Sequence, residues 1–374
     1  MLEACLHTGS RARDGWSRWC LHRAPSGRSA RVELSRTRTL LPLLARSMTR
    51  NRLEARKEVL SYVRAAVLRE ELRADRLRGI VADVVSALEG QGVRPVVVRG
   101  VALAATVYET WPHRHCHDID LLLAPERRGS GVLALARVDC VPIRSPGAPV
   151  GTAVMQHPSG LQIALHTRLF AVDYYNMPVD RFAETGERIS VGGVPISILS
   201  PEATLVHVLG HATYSPSRSN LRWVADAWHL LAAHPELDWG EVIDRLQSHR
   251  LTLPVAVLLR YLHAFGMRIP SDMVAVVERR AAATTMRVAE DVSIGAALAA
   301  RGGDLRSLWR SSGNWRGRAR IARWMIAPTS GYLRSTFAPR SSWHYPFVYS
   351  YRLFRFVSGR LAQRRRVVSS IGVG

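Results

Sequence analysis

The stretch VVVRGVALAATVYETWPHRHCHDIDLLL, from Val96 to Leu123, decides how this chain folds. It opens on three β-branched residues, breaks at Arg99-Gly100, continues as VALAATVYE with helical spacing, and ends in the apolar strand HDIDLLLA. Two carboxylates, Asp118 and Asp120, stand in that last strand, where a buried strand would otherwise be apolar. Side chains alternate between the faces of a strand, so both aspartates project one way while Ile119 and Leu121 turn to the core. Carboxylates so placed repel each other in a low dielectric unless a cation lies between them. Magnesium answers that need: it takes hard oxygen ligands, keeps part of its water shell and completes the rest with phosphates. From the DID triplet alone, an edge strand with two solvated aspartates is an equal reading.

The turn upstream separates the two readings. Gly100 falls between a strand and a helix, where free backbone N–H groups and the helix dipole favour a phosphate. Arg99 can add a charge-assisted contact to the same phosphates. Strand, glycine, helix and Asp-x-Asp strand in succession therefore predict that Arg99 and Gly100 cradle a nucleoside triphosphate while Asp118 and Asp120 hold the metal.

Outward from this unit, residues 48–199 read as an α/β core with a helical lead from Leu53. GTAVMQH-PSG-LQIALHTRLF and RISVGGVPISIL have the form of β-hairpins. Residues 200–300 read as helices, with Ser200 and Asp238 as N-caps. Residues 301–374 read as a basic, aromatic helical tail. Residues 1–47, rich in Arg and Ser, read as a non-native or disordered extension, with Met48 the expected translation start.

The chain of 374 residues is 47% hydrophobic and carries a formal net charge of +22. That charge is not spread evenly. Residues 1–47 hold 9 basic and 3 acidic side chains, 48–300 hold 28 and 26, and 301–374 hold 15 and 1, so the folded middle is nearly neutral. Lys57 is the only lysine, a skew that points to coding-sequence composition more than to a polyanion partner. Nucleic-acid binding through the tail is accordingly the less favoured use of the charge. Four cysteines without paired spacing fit a reducing cytoplasm. No apolar run reaches the roughly 20 residues of a membrane span.

These motifs resemble the uncharacterised nucleotidyltransferase family within the DNA polymerase β-like superfamily. Its Lys-Gly-x-Ala-Leu turn is similar to Arg99-Gly100-Val101-Ala102-Leu103, its helix tyrosine to Tyr108, and its Asp-x-Asp-Leu-Leu strand to Asp118–Leu122. A later Asp-Leu-His-Trp-Arg-Leu strand is similar to ALHTRL from Ala164, and an Arg-x-x-x-Asp helix to the segment with Arg222 and Asp226. The resemblance implies an α/β (α+β) polymerase β-like core with a mixed sheet and a helical C-terminal region. It also implies magnesium-dependent transfer of a nucleoside monophosphate from a triphosphate such as ATP to a small molecule, peptide or protein. The superfamily's third carboxylate falls where this chain has Ala164. That leaves a catalytically impaired nucleotide-binding scaffold as the alternative, with His166 as a replacement base or ligand, or simply as a structural histidine.

Three further groups have bland readings beside sharper ones. His113, His115 and His117 with Cys116 suggest zinc weakly, because strand alternation sets the cysteine on the other face. His207 and His211 suit either a metal or helix packing. Asp226 pairs with Arg222 along its helix or lines the acceptor cleft.

Overall fold

The computed structural model describes residues 1–23, 34, 37–143, 152–170, 186–214, 221–249, 251–283, 315, 318–319, 322–323 and 341–350. The chain divides into two compact units. One comprises Met1–Ala171, Tyr175–Thr213 and Arg218–Arg279, and the other Val172–Tyr174, Tyr214–Ser217 and Arg280–Gly374. All that follows concerns the first. The predicted basic tail, with its nucleic-acid alternative, lies largely outside the described residues.

A seven-stranded mixed sheet organises the first unit. Its strands are β1 (Val96–Val98), β2 (Asp118–Leu122), β3 (Val141–Pro142), β4 (Ala153–Gln156), β5 (Gln162–His166), β6 (Glu187–Val191) and β7 (Val194–Ile198), in the order β3-β4-β5-β2-β1-β7-β6. The quoted stretch thus occupies the middle of the sheet. β2 runs antiparallel to β1 and parallel to β5, and both predicted hairpins form, β4 with β5 and β6 with β7. Gly192 and Gly193 take φ of 58° and 82° at the second turn, values that a tight hairpin demands and that glycine adopts without strain.

Period-two alternation sorts the sheet into a dry face and a polar one. Val97, Ile119, Leu121, Met155, Ile163, Leu165, Ile196 and Ile198 point one way into the core. Leu77, Ile80, Val81, Val84, Val85 and Leu88 meet them from the second half of a 33-residue helix, Lys57–Glu89, with Ala134 and Leu135 from Arg128–Ala136. Each such aliphatic side chain contributes about 1.5–3 kcal/mol of burial, which locks the register, because a one-residue slip would drive the aspartates into this core. The opposite face carries Asp118 and Asp120.

The helical region follows as Pro201–Tyr214, Arg222–Ala233, Trp239–Ser248, Thr252–Ala264 and Ser271–Ala283. Ser200 Oγ accepts from the Ala203 amide at 3.2 Å and Asp238 Oδ1 from the Glu241 amide at 3.1 Å, the two predicted caps. Among the described residues no helix is long and apolar enough to cross a membrane.

The N-terminal segment differs from the expected disordered extension. Leu2–Leu6, Gly9–Arg23 and Leu41–Asn51 are helices, and Leu2, Cys5, Leu6, Ala12, Trp16, Trp19, Leu41, Leu43 and Leu44 are buried. Trp16 stacks on Trp19 and donates from Nε1 to the Glu54 carbonyl at 2.7 Å. Apolar residues at i, i+4 and i+7 make one helical face here, and an arginine-rich composition conceals that spacing.

Candidate active site

Strand β2 delivers Asp118 and Asp120 to the same face, as alternation requires. Asp120 is 4% exposed, whereas Asp118 is half-buried. Asp120 Oδ1 accepts from Arg99 Nη1 at 3.0 Å and from His166 Nε2 at 2.7 Å. Arg99, Asp120 and His166 are therefore brought together, although 46 residues separate the last two. Burial by itself would raise the Asp120 carboxyl, but the Arg99 guanidinium and the His166 hydrogen bond outweigh it and hold the group well below the usual carboxylate range. Asp118 goes the other way. Burial, and then the charge of Asp120, push its carboxyl up to about 7 against the opposing pull of Arg99, Arg114 and Arg222.

The pair is unequal: one carboxylate is held ionised while its neighbour resists ionisation. The donor set fits magnesium. Both groups offer hard oxygens, and among the described residues no third His, Cys, Asp or Glu joins them as a ligand. A magnesium ion on two carboxylates draws the rest of its shell from water and phosphate.

Three details lie beyond the sequence reading. Arg99 takes a positive φ, at 59° with ψ −127°. A non-glycine residue held there stores on the order of 1–3 kcal/mol, strain of the kind found where a side chain is aimed for function. Gly100 begins a helix of only seven residues, Gly100–Thr106, and serves a steric need: a Cβ there would lie 3.1 Å from Cys116 Sγ. Finally, His166 has both ring nitrogens engaged, since Nδ1 lies 3.1 Å from Thr152 Oγ1. With Asp120 at Nε2 and Thr152 at Nδ1, the ring is held against the carboxylate from both sides.

The β2–β5 register sets Asp120 opposite Ala164 and Asp118 opposite Gln162. The position at which the resemblance implies a third carboxylate thus carries a methyl group. Thr152, unmarked in the sequence, joins the site only through hairpin pairing.

Asp226 reaches well beyond its own helix. The carboxylate takes Tyr108 Oη at 2.7 Å and Arg114 through Nε at 2.7 Å and Nη2 at 3.0 Å, contacts that span 118 and 112 residues of chain. Both partners come from the quoted stretch, and the charge of Arg222, one turn away, lies near as well. No spacing rule pairs residues so far apart. In the histidine triplet, His115 Nδ1 contacts Glu70 Oε1 at 2.9 Å and Arg73 Nη1 at 2.8 Å, while burial pushes the Cys116 thiol up to about 12. His207 packs edge-on to Phe170, with ring centroids 5.7 Å apart, and lies near His211.

The buried histidines make acid stability predictable. Burial, followed by the charge of nearby Arg99, lowers His207 well below its ordinary 6.5 and His211 to about 3; burial and Arg46 lower His229 to about 4. Each takes up its proton on unfolding but not in the fold, so stability is full above pH 6.5 and is lost as pH falls toward the folded values. Buried His207 alone removes about 1.4 kcal/mol per pH unit in that window. Asp118 has the opposite sign between about 7 and 3.8, because the fold binds its proton more tightly, and it offsets one histidine of the three. The urea midpoint of the metal-free protein is expected to fall between about pH 7 and about pH 5; a level or rising midpoint would show that these rings charge inside the fold.

A family model described as uncharacterised nucleotidyltransferase matches residues 27–266. No curated protein matches the chain. Among solved structures it is similar to the antibiotic-resistance factor ANT(2'')-Ia in solution, with 14% identity and a TM-score of 0.36 over 51% of this chain and 99% of that one. The crystal structure of ANT(2'')-Ia with adenylyl-2''-tobramycin gives 15% and 0.35 over 47% and 97%. An antigenic nucleotidyltransferase-like protein from Paracoccidioides brasiliensis gives 14% and 0.34 over 49% and 93%.

Proposed function

The chain belongs to the uncharacterised nucleotidyltransferase family, and on that premise we propose that it is a magnesium-dependent enzyme moving a nucleoside monophosphate from a nucleoside triphosphate to an acceptor. The observation that carries the reading is the pairing of Asp118 and Asp120 on one strand face beneath Arg99. Asp118 and Asp120 would hold the metal. Bound there, magnesium supplies positive charge to the attacking and leaving oxygens of an in-line displacement.

The chain's own residues supply placement. His166 and Arg99 fix the Asp120 carboxylate from two directions, which keeps it ionised and oriented before any substrate arrives. Arg99 has the charge and the position to contact triphosphate oxygens, a role supported by its strained backbone. In the reaction the acceptor's oxygen forms a bond to the α-phosphorus, the bond to the β-phosphate oxygen breaks, pyrophosphate leaves, and the acceptor's proton passes to solvent or to a base on the acceptor side. The donor is a nucleoside triphosphate, and the acceptor is a small molecule, a peptide or a protein. The four cysteines stand free, which supports a reducing cytoplasm as the setting.

A second reading has its own observation. With Ala164 opposite Asp120, the face offers two carboxylates among the described residues where the superfamily resemblance implies three, as in a scaffold that binds nucleotide without turning it over. One experiment separates the two. The full chain is incubated with magnesium and each of ATP, CTP, GTP and UTP labelled on the α-phosphate, with peptide, protein and small-molecule acceptor mixtures. Transferred label with pyrophosphate release is expected; magnesium-dependent binding without transfer would favour the scaffold, and no magnesium-dependent binding of any nucleotide would overturn both.

A further inference from the structure

We propose that Asp226, with Arg114 and Tyr108, is a positioning clamp that sets the distance between the Arg99 turn and the Asp-x-Asp strand. It rests on the nucleotidyltransferase reading and deepens it. The two halves of that site are joined by residues 107–117, whose only regular element among the described residues is the short 3-10 turn Trp111–His113. No strand ladder fixes this connection. The Asp226 carboxylate joins its two ends, reaching in from helix Arg222–Ala233 and taking Tyr108 at the segment's start and Arg114 near its end.

The geometry ties the clamp to both halves. Arg114 is four residues ahead of Asp118, and its Nη1 donates to the His115 carbonyl, so the guanidinium braces the backbone that enters β2. The same Nη1 would lie 3.7 Å from a Cβ on Gly100, which puts it against the turn that aims Arg99. Moving Arg114 therefore moves the metal strand relative to the phosphate-contacting arginine.

Burial and chemistry argue for placement over bulk stability. Side-chain exposure is 7% for Asp226 and 11% for Arg114. A buried ion pair gains little net stability over apolar groups of equal size, but a bidentate guanidinium–carboxylate pair admits one relative orientation. A site whose reacting groups are misplaced by about an ångström loses on the order of a hundredfold. The clamp touches neither substrate nor metal and acts only through what it holds.

The test uses the full chain and a fluorescent, nonhydrolysable ATP analogue, measured with and without magnesium, in Asp226→Glu, Arg114→Lys and Tyr108→Phe. Glutamate and lysine keep each charge while changing its reach; phenylalanine removes one contact and spares the ion pair. Thermal melting and near-ultraviolet circular dichroism establish that each variant is folded. The expected result is a loss of about tenfold or more in magnesium-dependent affinity for the first two and a few-fold for Tyr108→Phe, with magnesium-free affinity unchanged. A merely structural role would lower both affinities together, or neither, and either result overturns the clamp. Tyr108→Phe decides the matter should the charged variants fail to fold. Wild-type chain without any magnesium-dependent binding would instead defeat the parent reading, and the clamp with it.

Discussion

Asp120→Asn is expected to lower nucleotidyl transfer by at least about a thousandfold, ~4 kcal/mol of transition-state stabilisation, while the protein remains folded. Asparagine preserves the shape and leaves an oxygen to accept from Arg99 and His166, so both hydrogen bonds seen at Oδ1 survive in neutral form. Their charge assistance does not. The cost to folding is about 1–3 kcal/mol, because Arg99 and His166 then face an amide in a buried setting. Activity suffers more than stability because the amide cannot share a magnesium ion as a carboxylate does. A second consequence follows in the metal-free protein. The Asp120 charge is, after burial, the chief influence raising the Asp118 carboxyl, so in the variant Asp118 titrates below its wild-type position near 7. Pyrophosphate release measures the first effect and carbon-13 NMR titration of labelled aspartate the second. A folded Asp120→Asn protein that turns over at the wild-type rate would remove the metal role from this strand.

What the sequence made legible was local. Alternation in DIDLLL placed both aspartates on one face, and the turn residues at Pro158-Ser159-Gly160 and Gly192-Gly193 marked the hairpins that form. These follow from short-range sterics, which survive in any context. What stayed hidden was either long-range or masked by composition. Nothing in the spacing of Asp226 points to Arg114 and Tyr108 over a hundred residues earlier, while Arg222 one helical turn away is the partner that helical spacing suggests. His166 could be assigned to the face but not to a role, because its function depends on Thr152 and Asp120 arriving at its two nitrogens. The positive φ at Arg99 runs against the rule that glycine takes such positions, and only tertiary packing at Gly100 explains why the glycine is needed next door. The N-terminal helices were lost to an arginine-rich composition whose apolar residues nonetheless keep helical spacing.

Ala164→Asp is expected to act in two directions, and the sign of each depends on magnesium. Residue 164 pairs with Asp120 across β2 and β5, so an aspartate there projects onto the face that already carries Asp118 and Asp120. Without metal it brings a third carboxylate beside one held ionised and another already pushed up to about 7, and the mutual repulsion should lower the melting temperature of the variant below that of the wild type. With magnesium the repulsion becomes ligation. Stabilisation by a bound ion grows as the logarithm of its concentration over the dissociation constant, about 2.7 kcal/mol at a hundredfold excess, so the variant should gain more from magnesium than wild type does. A carboxylate beside the attacking group can also take the acceptor's proton, worth on the order of a hundredfold in turnover. Melting curves across a magnesium series and pyrophosphate release give the two readouts. If magnesium fails to restore the variant's stability, no cation binds this face; if it restores stability and transfer falls, the acceptor is activated from elsewhere and the methyl group at position 164 makes room for it. Transfer appearing in the variant and absent from wild type would make the natural chain the nucleotide-binding scaffold, with one side chain separating it from an enzyme.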